Sequence, residues 1–164
     1  MSGISISVDY RDLGRMGAKV TNFLATAGDT RPLLEGIGNA LLLNIDLRFE
    51  NSRGPDGTPW KKTARGGQIL VDTARLRNSM DMDVSANAVA VGTNVIYAST
   101  HQKGATIKPV KARVLAFQIN GKPVFAKSVT IPARPFIGIG DDDIKAMRGE
   151  VADFIRNAHR EARG

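Results

Sequence analysis

A chain of 164 residues with 42% hydrophobic and 24% charged side chains is long enough to bury a core and too apolar for a disordered tail. It contains no cysteine, which removes disulfides, thiolate zinc sites, iron–sulfur clusters and cysteine nucleophiles. The net charge of +7 is concentrated: residues 51–135 carry thirteen basic and four acidic side chains, against five and six in both 1–50 and 136–164.

In chain order, the opening MSGISISVDYRDLGR has no basic segment followed by an apolar one, and no stretch reaches the roughly 18 apolar residues that span a bilayer. The expectation is a protein made and folded in cytoplasm, without membrane contact. Leu13, Met16, Val20, Phe23 and Leu24 recur at three- and four-residue intervals and predict a helix over 9–25. After Gly28, Asp29 or Thr30 caps a second helix with Pro32 in its first turn, where its missing N–H is harmless. Its apolar face runs through Leu34, Ile37, Leu41, Ile45 and, at the same spacing, Arg48, so residues 1–50 read as helical.

Residues 51–68, NSRGPDGTPWKKTARGGQ, are loop, with a tight turn at Pro55-Asp56-Gly57 and Trp60 as anchor. From Leu76 to Ser85 strict alternation predicts a half-buried strand, which turns at Ala86-Asn87 into a second strand, AVAVG. Asn120-Gly121 favours the two positive φ values of a type I′ turn. That turn would pair Ile119 with Lys122, Phe117 with Val124 and Leu115 with Ala126 in a hairpin arm over 113–130, within a β region spanning 69–136. In IPARPF, Pro132 and Pro135 keep the chain extended and Phe136 docks on the core, before Asp141 opens a last helix over 141–162. The fold class is α+β in one domain over 1–164: N-terminal helices, a central antiparallel sheet with a long hairpin arm, and a C-terminal helix.

His101, placed at the end of a strand, invites a catalytic role, but Ser99 and Thr100 beside it would face the wrong way and no nucleophile turn is present. A metal site lacks ligands, because His159 is the other histidine of two. Asp141, Asp142 and Asp143 suit the start of a helix better than a cation, since consecutive acids do not converge on one point. Arg65-Gly66-Gly67 is a single RGG copy, and no phosphate loop or dinucleotide fingerprint occurs. The residues therefore point to no catalytic group, cofactor or metal. Residues 84–140 carry no acidic side chain, while Lys103, Lys108, Lys111, Arg113, Lys122, Lys127 and Arg134 lie there. Such a stretch is either a solvated face that blocks edge-to-edge pairing or a contact surface for an acidic partner or a phosphate backbone.

Four segments in order, GPDGTPW (54–60), LVDTARLRNSM (70–80), VGTNVIYASTHQKG (91–104) and IPARPFIGIGDDD (131–143), resemble the phage virion morphogenesis and tail-completion family of Mu-like and related contractile-tailed phages. Two positions depart from the family's pattern: a glycine commonly stands at Ala74, and an apolar residue often at Lys103. The first departure leads us to expect no positive φ at Ala74. In this pattern Arg77 lies on the polar face of its strand, and Gly92 with Asn94 lets the chain reverse into Tyr97. The resemblance implies a virion component at the neck or tail end, assembled in the host cytoplasm, that forms a ring, hexameric by that likeness, and joins heads to tails. Its partners would be copies of itself, the head connector or neck proteins, and the tail terminator or tube proteins, with non-specific contact to passing DNA. Contact residues would be His101, Gln102, Lys103, Lys111, Arg113, Lys122, Lys127 and Arg134, the last as an intersubunit ion pair or a donor to backbone carbonyls. The alternative is a nucleic-acid-binding protein that uses the basic 103–134 segment.

Overall fold

The computed structural model describes residues 3–13, 20 and 28–161. Its first element is a strand, β1 (Ile4–Asp9), rather than a helix. The alternation of Ile4, Ile6 and Val8 suits a half-buried strand, and β1 pairs antiparallel with β3 (Ala88–Thr93), Val8 opposite Val89. The Asp9 carboxylate then accepts the Arg11 N–H at 2.8 Å and starts the short helix α1 (Tyr10–Leu13), in which Leu13 is buried. Much of the helix expected over 9–25 lies outside the described residues.

The second helix stands as expected, as α2 (Arg31–Asn51). Thr30 occupies the capping position without a side-chain hydrogen bond, while the Asp29 carboxylate accepts the Arg31 N–H at 2.9 Å. At the far end Ser52 adopts a left-handed conformation (φ 51°), a common helix stop. α2 is the centre of the molecule. One side packs on the three-stranded sheet of order β1-β3-β2, where β2 is Asp81–Val84, and the other on the last helix, α4 (Asp141–Glu161). Close approach to the sheet requires Gly38, because a Cβ there would sit 2.5 Å from Met82 Sδ and 2.9 Å from Val89 Cγ2. Between these layers Leu34, Ile37, Leu41, Ile45, Phe49, Val89 and Val91 are buried, with Met147 and Val151 closing from α4.

Three expectations in the middle of the chain need correction. The strand expected from Leu76 begins only at Asp81: Leu76 is buried at the head of a 3-10 turn, Arg77–Ser79, closed by Ser79 Oγ donating to the Leu76 carbonyl at 2.8 Å. Arg77 is thereby aimed at α2, where it holds Asp46 (2.5 and 2.7 Å) and Glu50 (2.8 Å). Gly92 is not a reversal point. It lies inside β3, between Ser5 of β1 and Asp81 of β2, where a Cβ would strike the Ile4 carbonyl oxygen and Ser5. Ala74 does have positive φ, 58°, so the alanine there adopts a conformation that disfavours L side chains.

The fourth correction concerns the histidine segment, which is a helix, α3 (Ala98–Lys103), rather than a strand end. Ala98 is fully buried and seats it. The chain then leaves the body in a two-tier ribbon. β4 (Ala105–Ile107) pairs with β7 (Val129–Ile131), and beyond it β5 (Leu115–Ile119) pairs with β6 (Lys122–Ala126) in the expected register, Ile119 opposite Lys122 and Phe117 opposite Val124. Asn120 and Gly121 carry φ of 51° and 75° at the tip, as a type I′ turn requires. Among the described residues the named strands therefore form three separate pieces, one three-stranded sheet and two two-stranded tiers.

Candidate functional site

Two regions gather the residues singled out from sequence: a buried clamp around 134–138 and the exposed ribbon. The clamp holds an extended segment that has no strand partner, so its backbone groups need side chains. Gln102 meets three of them from α3, accepting the Phe136 and Ile137 N–H groups on Oε1 (3.0 and 3.1 Å) and donating from Nε2 to the Ile137 carbonyl (2.6 Å). Trp60 Nε1 donates to the Pro135 carbonyl at 2.9 Å. Its ring meets Phe49 edge-on at 5.7 Å, and Phe49 meets Phe136 at 5.4 Å. Arg134, 5% exposed, donates to the Lys61 carbonyl at 2.8 Å and the Lys62 carbonyl at 3.3 Å, and its own N–H reaches the His101 carbonyl at 2.7 Å.

Below the segment sits a buried ion pair. Arg48 on the apolar face of α2 donates to the Phe136 and Gly138 carbonyls (3.1 and 3.0 Å) and pairs with the fully buried Asp143. The Asp143 carboxylate also accepts the Gly140 N–H (2.7 Å) and Asn44 Nδ2 (2.9 Å). As the third residue of α4 reaching back to the residue before the helix, Asp143 supplies half of a capping box. The Arg48–Asp143 pair was not foreseen as a pair. Its signal was in the sequence, since an arginine at core spacing on an apolar face requires a buried anionic partner.

His101 lies beside the clamp, its ring edge-on to Tyr97 at 5.9 Å, and Nδ1 is buried with no hydrogen-bond partner. Burial, with a smaller contribution from Arg134, holds its pKa below the ordinary 6.5. No group of three or more His, Asp or Glu capable of holding a metal occurs among the described residues.

The remaining residues separate from the clamp. Lys103 ends α3, Lys111 and Arg113 lie in the 108–114 bend between the two tiers, Lys122 is at the tip, and Lys127 returns between the tiers. All five are exposed, and none forms an ion pair among the described residues. Beside these cations are apolar side chains that sequence reasoning did not select: Val110 (95% exposed), Phe125 (69%) and Ile107 (41%). No residue of 105–131 belongs to the core. In β5 and β6 the alternation is present, but each strand packs chiefly on the other.

In this α+β frame Arg48, Gln102 and Arg134 hold the chain's own backbone, and cations without ion pairs among the described residues stand on a projecting ribbon. The chain belongs to the phage virion morphogenesis family, whose profile matches residues 12–156. The Mu-like prophage FluMu G protein 2 of Haemophilus influenzae is 30% identical to it over 152 residues, which cover 92% of this chain and 96% of that protein. No solved structure matches the chain. Its role is accordingly in building the phage particle. No helix among the described residues is long and apolar enough to cross a membrane.

Proposed function

We propose that the protein is a non-enzymatic subunit of a ring at the phage neck or tail end, which completes the tail and joins it to the head. The observation that carries this reading is the ribbon: a 105–131 excursion contributes nothing to the core yet exposes Phe125 and Val110 among unpaired lysines and arginines. Burying a phenylalanine side chain is worth about 1.5–3 kcal/mol, so such a surface gains from a partner. Identical subunits packed head to tail around an axis close into a ring, and the ribbon gives each subunit reach towards a neighbour, a connector or neck protein, or a tail terminator or tube protein. The cations orient that encounter and speed it. Lys103, Lys111, Arg113, Lys122 and Lys127 are the contact residues in this reading, whereas His101, Gln102 and Arg134 support the ribbon's base through the clamp. The ring is hexameric by family likeness, assembles in the host cytoplasm and resides in the virion.

Reversing Lys122 and Lys127 to Glu tests the proposal. Folded monomer with heads and tails left unjoined is the expected result, and a normal yield of infectious particles would refute it. A second reading, nucleic-acid binding, is favoured by the 57 consecutive residues, 84–140, without an acid. Particle mass measured at ~0.1 and ~1 M salt separates the two, since phosphate contacts weaken steeply with salt whereas a ring that buries apolar surface survives.

A further inference from the structure

A cleft of about 300 Å³ opens between the 63–76 loop and α3. Segments distant in sequence meet there: Arg65, Leu70 and Arg75 from the loop, Tyr97 just before α3 and His101 within it, and Arg134 from the clamp. Its walls carry three guanidinium groups against one carboxylate, Asp72, which Arg65 already holds. The Arg75 backbone N–H is 3.5 Å from Thr73 Oγ1, but its guanidinium makes no hydrogen bond or ion pair among the described residues. Arg134 commits Nε and Nη2 to carbonyls and keeps Nη1.

Two further observations mark the cleft as more than a gap in packing. His101 lines the cleft with its Nδ1 buried and without a hydrogen-bond partner, a desolvation penalty that a ligand atom would relieve only if the ring turned to meet it. The outer wall is also strained: Leu70 and Ala74, neither a glycine, hold φ of 61° and 58°. A bulky side chain rarely adopts such a conformation unless the surroundings impose it, and strain of this kind gathers at ligand clamps.

We propose that this cleft is a socket for an acidic polypeptide segment: a carboxylate seats between Arg75 and Arg134, apolar atoms lie on Tyr97 and Leu70, and an adjacent polar atom takes up His101 Nδ1 as the ring turns towards it. That the segment comes from another virion chain rests on the assembly reading; the chemistry of the socket does not. A peptide fits better than a nucleic-acid backbone. The volume is at the small end of ligand sites and accepts two or three side chains. A duplex presents its phosphates on a convex surface, suited to the exposed ribbon cations, and has no apolar group to offer Leu70 and Tyr97.

The test is a titration of the ¹⁵N-labelled full chain with an acetylated, amidated pentapeptide carrying two glutamates around a leucine. Saturable shifts at Arg75, Tyr97 and His101 are expected, with no such response to the same peptide carrying lysines. Arg75→Ala should weaken binding about fivefold, the scale of one accessible ion pair, and Tyr97→Ala should weaken it by removing an apolar wall. Both variants keep the buried clamp. Absence of saturable shifts overturns the proposal, as do shifts confined to Lys122 and Lys127, or inorganic phosphate producing the same pattern with equal or tighter affinity. The measurement needs no ring. Ribbon variants that still build particles would therefore remove the assembly reading and leave the socket, and a silent titration would do the reverse.

Discussion

Removing the Asp143 carboxylate tests whether the clamp is the structural centre of the fold. In Asp143→Ala, three donors lose their acceptor at once: Arg48 Nη2, Asn44 Nδ2 and the Gly140 N–H. Gly140 lies at a helix start and is half-buried, so water can replace part of what it loses. Arg48 has no such recourse. It is 6% exposed and retains only the carbonyls of Phe136 and Gly138 against a full charge. Breaking a buried pair from one side costs about 3–5 kcal/mol, roughly a fifth or more of the ~5–15 kcal/mol that holds a typical domain together. With an m value near ~2 kcal/mol/M, the urea midpoint should fall by about 1.5–2.5 M. Circular dichroism melts in urea give the midpoint and slope together. Asp143→Asn keeps the shape and one acceptor oxygen, so its loss should be smaller and should isolate the charge. A loss below ~1 kcal/mol for Asp143→Ala, with an unchanged slope, would mean that Arg48 is hydrated, and the account of a buried, uncompensated charge would be wrong.

Ala74→Gly should stabilise the protein by about 0.5–1 kcal/mol, because relief of a left-handed alanine (about 1–2 kcal/mol) outweighs the extra entropy of an unfolded glycine; a lower urea midpoint would contradict the φ of 58° at that residue. Gly92→Ala should cost about 1–3 kcal/mol by driving a methyl into the Ile4 carbonyl and Ser5, with the amides of β1 exchanging faster than those of α2; equal protection would refute the contact. His101 should titrate below its ordinary 6.5 by NMR, since burial and Arg134 disfavour its cation. Above 6.5 both folded and unfolded forms are neutral and nothing is lost. As pH falls through 6.5 the unfolded chain takes a proton that the folded site refuses, so stability declines until the lowered folded value is passed; a midpoint at or above 6.5 would end that account.

Where local chemistry decided the outcome, the sequence was readable. Asn120-Gly121 dictated a turn, and with it the ribbon's register; Pro32 and the three- and four-residue spacing dictated α2. Where tertiary contact decided, it was not. Ala98–Lys103 contains Ser99, Thr100 and His101, none a strong helix former, and it is helical because buried Ala98 and the Gln102 hydrogen bonds hold it against the 134–138 segment. β1 is hidden in the sequence because Ile4, Ile6 and Val8 are too short an alternation to specify a strand until they pair with β3, at 88–93. Residues 76–80 alternate as a strand would, but the Ser79 hydroxyl turns the chain and sends Arg77 to Asp46. Of the proposed contact residues, the ribbon cations were visible as a run without acids. The cleft was not, because Arg75, Tyr97 and Arg134 become neighbours only after folding.

The joint between the ribbon's two tiers is lopsided: seven residues, 108–114, run outward between β4 and β5, while two, 127–128, return between β6 and β7. The short side fixes how far apart the two tiers can sit, while the long side leaves more chain than the gap requires. Lys111 and Arg113 ride on that slack, so the joint's spare length and its charge are set by the same few residues. Lengthening or shortening 108–114 would change the placing of the tip without touching α2, the sheet or the clamp, since no residue of 105–131 belongs to the core.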